Sequence, residues 1–241
     1  MDARHKAVDL FLAAGLMVAG GQTAWATDLP RAEPAGALAF SIAQGGEGGE
    51  GGEGGANEFQ DALTGTELRQ ALQAGGYVIY FRHAQTETDY ADQVSAVMGD
   101  CSTQRMLSEY GWQQARTIGA AFEAMAIPVG EVISSEYCRA WQTADLAFGH
   151  HQTDPALNFE PVEEYTDAQV AQMRENVMPF LTTAPAPGTN IIVVGHDDVF
   201  DAATGIYPEP QGVAYSVKPN GQGSFDLVAN LRPEEWALLS R

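Results

Sequence analysis

The sequence predicts an α/β fold, a three-layer sandwich with a central, mostly parallel sheet flanked by helices. Two runs, YVIYF at 77–81 and NIIVVGH at 190–196, are apolar almost without interruption. That is the pattern of parallel strands covered on both faces rather than the alternation of a half-buried strand. A third strand reads EVISS at 131–135, and a helical pattern follows each of the three. Strands alternating with helices imply a layered fold whose ligands sit beyond the carboxyl ends of the strands.

The chain has 241 residues, 45% of them hydrophobic, enough for one α/β domain with a sizeable core. It carries 12 Lys and Arg against 32 Asp and Glu, a formal charge of −20. Such a surface repels nucleic acid and anionic membranes at long range. A small anion binds only where local positive charge overrides the global field. Each basic residue in an apolar context therefore requires a reason.

Residues 1–26 read as a signal peptide. Arg4 and Lys6 precede the apolar stretch LFLAAGLMVAG, interrupted upstream by Asp9, and Ala24-Trp25-Ala26 forms a cleavage box. A single membrane anchor is the rival, but the apolar run is shorter than the roughly 20 residues a span needs. Removal takes away two acids and two bases and leaves the charge unchanged, so the expected location is periplasmic or secreted, with no membrane contact after cleavage. Residues 27–63 read as a disordered Gly/Glu-rich linker, because GGEGGEGGEGG at 45–55 combines maximal chain entropy with mutual repulsion of its glutamates. The folded domain is expected over 64–241.

Within it, Thr64 and Glu67 offer a capping box for a first helix closed by Gly75 and Gly76. Ser108 can cap a long helix at 109–125, in which Trp112, Ala115, Ile118, Gly119 and Phe122 recur at helical spacing. The strand EVISS runs directly into a helix stopped by Gly149. Another helix is expected at 167–181. The strand NIIVVGH leads into DDVFDAATG. GVAYSVKP and SFDLVANL, around Asn220-Gly221, alternate like a hairpin or sheet edge. Pro233 suits the first turn of a last short helix.

The strand ends share one charge type. Arg82 and His83 end the first, Arg139 follows the second within a turn, and His196 ends the third. Two guanidiniums and two imidazoles converging there make a site for a tetrahedral dianion, since the planar Arg fork suits phosphate oxygens bidentately. Taken singly, each reads as structural: a helix-cap pair, a solvated first-turn arginine, a hydrogen-bonded strand-end histidine. Arg105 is either a further anion clamp or a surface residue. His150 and His151 read as loop residues.

FRHAQT, SSEYCRAWQTADLAF and VVGHDD, in that order, resemble the histidine phosphatase superfamily, in its phosphoglycerate mutase-like branch. The resemblance runs from about Tyr77 to the C-terminus. It implies that His83 is a nucleophile forming a phosphohistidine that water hydrolyses. It further implies that Arg82, Arg139 and His196 hold the phosphoryl oxygens, that Thr86 orders the loop after His83, and that the substrate is a small phosphomonoester. The arginines supply the positive charge, so no metal and no cofactor is expected. The proton donor to the leaving group has three candidates. Asp197 follows His196 as in the acid phosphatase branch, and it doubles as a helix N-cap. Asp198 is its neighbour, and Glu163 lies in NFEPVEEY with Glu160 and Glu164, where the mutase-like branch places its acid. A phosphate- or phosphoprotein-binding pseudoenzyme and a mutase-type phosphoryl transfer are the alternative functions.

The two cysteines, Cys101 and Cys138, form either one disulfide, as an even count in an exported protein suggests, or two buried thiols. Neither begins the C-x5-R loop of thiol-based phosphatases, which disfavours a cysteine nucleophile.

Overall fold

The computed structural model describes residues 59–88, 96–160, 162 and 164–240. The expected leader at 1–26 and most of the expected linker lie outside the described residues. The folded unit begins five residues earlier than expected. Phe59 packs on Tyr215, the amide of Ala62 donates to the Val228 carbonyl, and Asp61 accepts from the Asn230 amide. Residues 59–63 are thus part of the fold and not of a linker, because their backbone and apolar side chains find partners on a sheet edge.

A single six-stranded sheet runs β3-β2-β4-β1-β5-β6. Its strands are β1 (Val78–Arg82), β2 (Val129–Ser134), β3 (Gln152–Thr153), β4 (Asn190–Gly195), β5 (Ala214–Pro219) and β6 (Phe225–Leu231). β1, β2, β3 and β4 pair in parallel, and the β5-β6 hairpin adds antiparallel to β1. Six helices complete the layers: α1 (Gly65–Ala74), α2 (Glu109–Ala124), α3 (Cys138–Phe148), α4 (Asp167–Thr182), α5 (Asp197–Thr204) and α6 (Pro233–Leu239).

The continuous apolar runs are explained by what covers them. Ile79 and Phe81 of β1 share a core with α1, α2, α3 and α6, while Val78 and Tyr80 share the opposite core with α4 and α5. Both faces of the strand are buried, so neither can be polar. Burying one such side chain is worth roughly 1.5–3 kcal/mol, and these two cores hold most of the large apolar residues of the domain.

The expected helix signals hold in part. Ser108 accepts from the Gly111 amide at the start of α2, and Gly149 closes α3 with φ 74°. Thr64 stands at the N-cap of α1, but its side chain makes no capping bond, so the expected box with Glu67 is not formed. Trp112 is 44% exposed, contrary to expectation; α2 turns Gly111, Gln114, Ala115, Ile118, Gly119, Ala121 and Phe122 inward. A Cβ at Gly111 would collide with the Gln85 carbonyl, so the helix lies closest to the β1 loop along that glycine, a quarter turn away from Trp112. Among the described residues, no helix is long and apolar enough to cross a membrane.

Candidate active site

Strand register builds the site. Arg82 of β1 stands opposite Gly195 of β4, so the next residues, His83 and His196, emerge side by side. The His83 amide donates to the Gly195 carbonyl at 3.0 Å, and the two imidazole centroids are 5.5 Å apart. On the other flank of β4, Ser134 stands opposite Val194, and the Ser135 amide donates to the Val194 carbonyl. One turn later α3 delivers Arg139. Three strands thus contribute to one point.

The residues at that point are deeply buried: His83 is 1% exposed, His196 1% and Arg139 2%. The Nδ1 of His83 lies 2.8 Å from the Ala84 carbonyl, which can only accept, so Nδ1 carries the proton. Nε2 is then the acceptor, and it takes the Nε–H of Arg139 at 3.2 Å. Burial first, and then the Arg139 charge, hold the His83 pKa well below the usual histidine value; the carbonyl of Ala84 works the other way. His83 is therefore a neutral imidazole with its Nε2 lone pair turned to the arginine.

His196 is oriented from two sides. The Tyr80 hydroxyl donates to the His196 carbonyl at 2.8 Å and accepts from its amide at 2.9 Å. Burial raises the Tyr80 phenol far above its ordinary value, so it stays protonated and keeps both bonds. A Cβ at Gly195 would run into that same hydroxyl, which is why the strand ends in glycine. The side chain points Nε2 at Ser135 Oγ, 2.8 Å away. Ser135 Oγ gives its hydrogen to Asn158 Oδ1, so toward His196 it accepts, and Nε2 carries the imidazole proton. Nδ1 is left as a buried acceptor with no hydrogen-bond partner among the described residues. Burial, then Arg139, keep the His196 pKa well below the ordinary value.

Arg139 lies against aromatic faces, its Cζ 4.8 Å from the Tyr137 ring and 5.2 Å from that of Phe159, which stack on each other. Cation–π contact of this kind, worth about 2 kcal/mol when desolvated, helps a guanidinium tolerate burial. Arg82 faces the other side. Its Nη1 donates to the Pro208 carbonyl, its Nη2 meets Asp197 Oδ2 at 2.5 Å, and Glu209 lies 3.6 Å from Nη1. Asp197 Oδ2 also accepts from the Tyr207 hydroxyl at 2.6 Å. Asp198 accepts from Tyr165, and burial together with the Asp197 charge raises its pKa.

The remaining expected residues are placed as follows. Thr86 is buried, with its amide and hydroxyl on Gln211, and pairs with Leu107 in an isolated bridge. Arg105 is close enough for its charge to depress both imidazoles. Glu163 lies outside the described residues; Glu160 accepts from Gln169 at the start of α4. His150 is exposed, with its Nδ1 3.0 Å from the Phe148 carbonyl, and His151 stacks on Trp141. Cys101 and Cys138 form a disulfide, tying the loop before α2 to the residue preceding Arg139.

Sequence reasoning missed Ser135, Tyr137, Asn158, Phe159 and the glutamines that hold the loops. Gln104 accepts from the Cys138 amide, and Gln114 accepts from the Gln85 amide while donating to the Gln211 carbonyl. Ser135 and Tyr137 lie inside a motif already singled out, which was the one available signal. Among the described residues no group of three or more His, Cys, Asp or Glu is placed to hold a metal ion.

Solved structures with similar chain paths include the protein histidine phosphatase SixA complexed with tungstate, at 16% identity and TM-score 0.49, covering 66% of this chain and 98% of that one. A mycobacterial glucosyl-3-phosphoglycerate phosphatase matches at 15% identity and TM-score 0.47, over 64% of this chain and 98% of the other. A mutant phosphoserine phosphatase from Entamoeba histolytica, in complex with phosphoserine, matches at 13% and 0.43, over 66% and 98%. No curated protein sequence matches the chain. Residues 78–178 match the sequence model of the histidine phosphatase superfamily (branch 1), a span that carries Arg82, His83 and Arg139 and stops short of His196.

Proposed function

We propose that the protein is an exported phosphatase that hydrolyses small phosphomonoesters through a phosphohistidine at His83. The observation that carries this reading is the tautomer of His83. Its Nδ1–H is committed to the Ala84 carbonyl, which leaves Nε2 as a lone pair facing Arg139. In the first step Nε2 attacks phosphorus, the ester P–O bond breaks, and the leaving alkoxide takes a proton. In the second, water attacks phosphorus, the P–N bond breaks, and inorganic phosphate leaves as the acid recovers its proton. Arg139, Arg82 and Arg105 stabilise the transferring group; removal of one such preorganised donor costs about a hundred- to a thousandfold in rate. The unpartnered Nδ1 of His196 takes a proton as the dianion arrives and donates to it.

Asp197 is the first choice for the acid. A phosphoryl dianion competes for Arg82, and the carboxylate released from that cation picks up the proton it delivers. Asp198 and Glu163 are the alternatives. The disulfide between Cys101 and Cys138 supports an oxidising compartment, in keeping with the leader expected at 1–26.

The test is phosphate release from p-nitrophenyl phosphate by the full chain and by His83→Ala, with mass spectrometry of acid-labile phosphate on rapidly quenched protein. Turnover lost in His83→Ala and a phosphorylated peptide containing His83 are expected. Tight binding of vanadate with no turnover in the unsubstituted chain would instead make it a binding pseudoenzyme. Asp197→Asn and Glu163→Gln then assign the acid: the correct one loses far more activity on an alkyl phosphate than on the nitrophenyl ester.

A further inference from the structure

We infer that Asn158, acting through Ser135, is a positioning residue that holds His196 as the Nε2–H tautomer and keeps Nδ1 as the nitrogen left for the phosphoryl group. The inference rests on the phosphatase reading above and adds how the acid–base state of that site is set. Ser135 is fully buried, and its hydroxyl has one hydrogen and two lone pairs to place. The Tyr137 amide, 3.2 Å away, can only donate and takes one lone pair. Asn158 Oδ1, 2.8 Å away, can only accept and takes the hydrogen. One lone pair remains for His196 Nε2 at 2.8 Å, so that nitrogen brings the proton. Nδ1, buried and without a hydrogen-bond partner among the described residues, is the nitrogen left over.

The direction of this chain is decided one residue further out. Asn158 follows a short 3-10 helix, Pro155–Leu157, whose capping residue Asp154 donates its amide to the Ser134 carbonyl and so fixes the turn to the end of β2. Glu136 grips both ends of the Asn158 carboxamide: its amide donates to Oδ1 at 2.9 Å, and its carboxylate accepts from Nδ2 at 2.8 Å. Turned over, the carboxamide would set N–H against N–H and oxygen against oxygen. Burial, then Arg139 with His83, Arg82 and Arg105, hold the His196 ring neutral; Ser135 chooses which nitrogen carries its one proton. Without an acceptor at position 158, the Ser135 hydrogen is free to turn to Nε2, and the imidazole proton then belongs on Nδ1. The two forms meet a ligand differently. A dianion arriving at the Nε2–H form finds a bare Nδ1 and draws a proton onto it, whereas at the Nδ1–H form it finds a donor already in place.

The test reads the tautomer directly. Proton–nitrogen correlation spectra of the full chain with isotope-labelled histidine are recorded at pH 7.5, and the His196 signals are assigned by their loss in His196→Asn. The unsubstituted chain should favour Nε2–H over Nδ1–H by about tenfold, the ratio that one net hydrogen bond sets. In Asn158→Ala the Nδ1–H form should rise to about half of the population or more. Exchanging the two polar ends, Asn158→Asp with Glu136→Gln, returns an acceptor to Ser135 and should restore Nε2–H, which a purely structural role of Asn158 does not predict. Calorimetry in buffers of different ionisation enthalpy then counts the protons taken up with tungstate, a tetrahedral dianion that does not itself titrate near that pH. Asn158→Ala should take up about half a proton fewer than the unsubstituted chain. Nδ1–H as the major form in the unsubstituted chain, a measurement that needs no variant to fold, overturns the inference. So does a tautomer ratio or a proton uptake unchanged in Asn158→Ala, or Nδ1–H persisting in the exchanged pair. The two readings fail separately, because the tautomer is read without turnover. Hydrolysis of nitrophenyl phosphate by a chain whose His196 is Nδ1–H sinks only this one, and Nε2–H under the control of Asn158 without any turnover sinks only the hydrolase.

Discussion

Lowering the pH should unfold this domain through its own active site. His83 and His196 are both buried and both held neutral, with pKa values well below the ordinary one because of burial first and the Arg139 charge second. The unfolded chain has no such constraint and protonates each near pH 6.5. The native state therefore binds fewer protons than the unfolded state below that pH. Stability is fully present above about pH 6.5 and is lost as pH falls toward the depressed native values. Each proton contributes about 1.4 kcal/mol per pH unit. Two histidines that stay neutral throughout that range lose together at most about 3 kcal/mol between pH 6.5 and 5, a large part of the ~5–15 kcal/mol a domain possesses. Asp198 and Asp201 act with the opposite sign, since their raised pKa values make the native state the better proton binder at low pH. Relief of charge repulsion in so acidic a chain also favours folding as pH falls.

A comparison of variants separates these effects. Urea unfolding, followed by the fluorescence of the fully buried Trp236, is measured at pH 7.5, 6.5, 5.5 and 5.0 for the unsubstituted chain and for His196→Asn. The substitution removes one titrating group and leaves the carboxylates untouched. The gap in unfolding free energy between the two proteins should shift by about 2 kcal/mol in favour of the variant on going from pH 6.5 to 5. A gap that stays constant with pH would mean that His196 charges as easily in the folded state as in water, and the reasoning would be refuted. The same burial has a catalytic side. If His83 is the nucleophile proposed above, its neutrality in acid predicts phosphatase activity that persists at pH values where the fold is already losing stability.

Two further outcomes test the scaffold. Gly195→Ala forces a methyl group into the Tyr80 hydroxyl that grips both backbone atoms of His196; overpacking of this kind should cost about 1–3 kcal/mol in chemical unfolding and lower kcat more than it raises KM. An unchanged unfolding midpoint and kcat would show that the strand end can relax. Replacing Cys101 and Cys138 together by serine opens a cross-link spanning 37 residues, which loop-closure entropy values at roughly 3.8 kcal/mol; denaturation of the double variant under non-reducing conditions checks it, and a loss under about 1 kcal/mol would mean that the loop is held by other bonds such as Gln104 to the Cys138 amide.

How much of this was legible in the sequence follows from which signals are local. β1 and β4 announced themselves, because strands buried on both faces cannot afford polar residues, and Arg82, His83 and His196 stood out as charge and imidazole at the ends of such runs. β3 gave no signal: two exposed residues hold it by pairing alone. α2 was legible as a helix but misread in rotation. Trp112, Ala115, Gly119 and Phe122 fit one apolar stripe, Gly111, Ala115, Ile118 and Phe122 fit another, and only the close approach of Gly111 to the Gln85 carbonyl chooses the second. Asn158 and Phe159 carried no signal of function and Ser135 only that of the motif around it, since their role arises when β2 comes into register with β4 and brings Ser135 against the His196 ring.

The pairing of Arg82 with Asp197 was hidden for a different reason. Both residues were singled out by the sequence, one to hold the phosphoryl group and one to protonate the leaving alcohol, but nothing local says that they hold each other. Sequence order separates them by more than a hundred residues, and the Arg82–Gly195 register sets them side by side. Under the phosphatase reading proposed above, a dianion competing for Arg82 would release the Asp197 carboxylate, which would tie proton delivery to the presence of the group whose bond is to be broken.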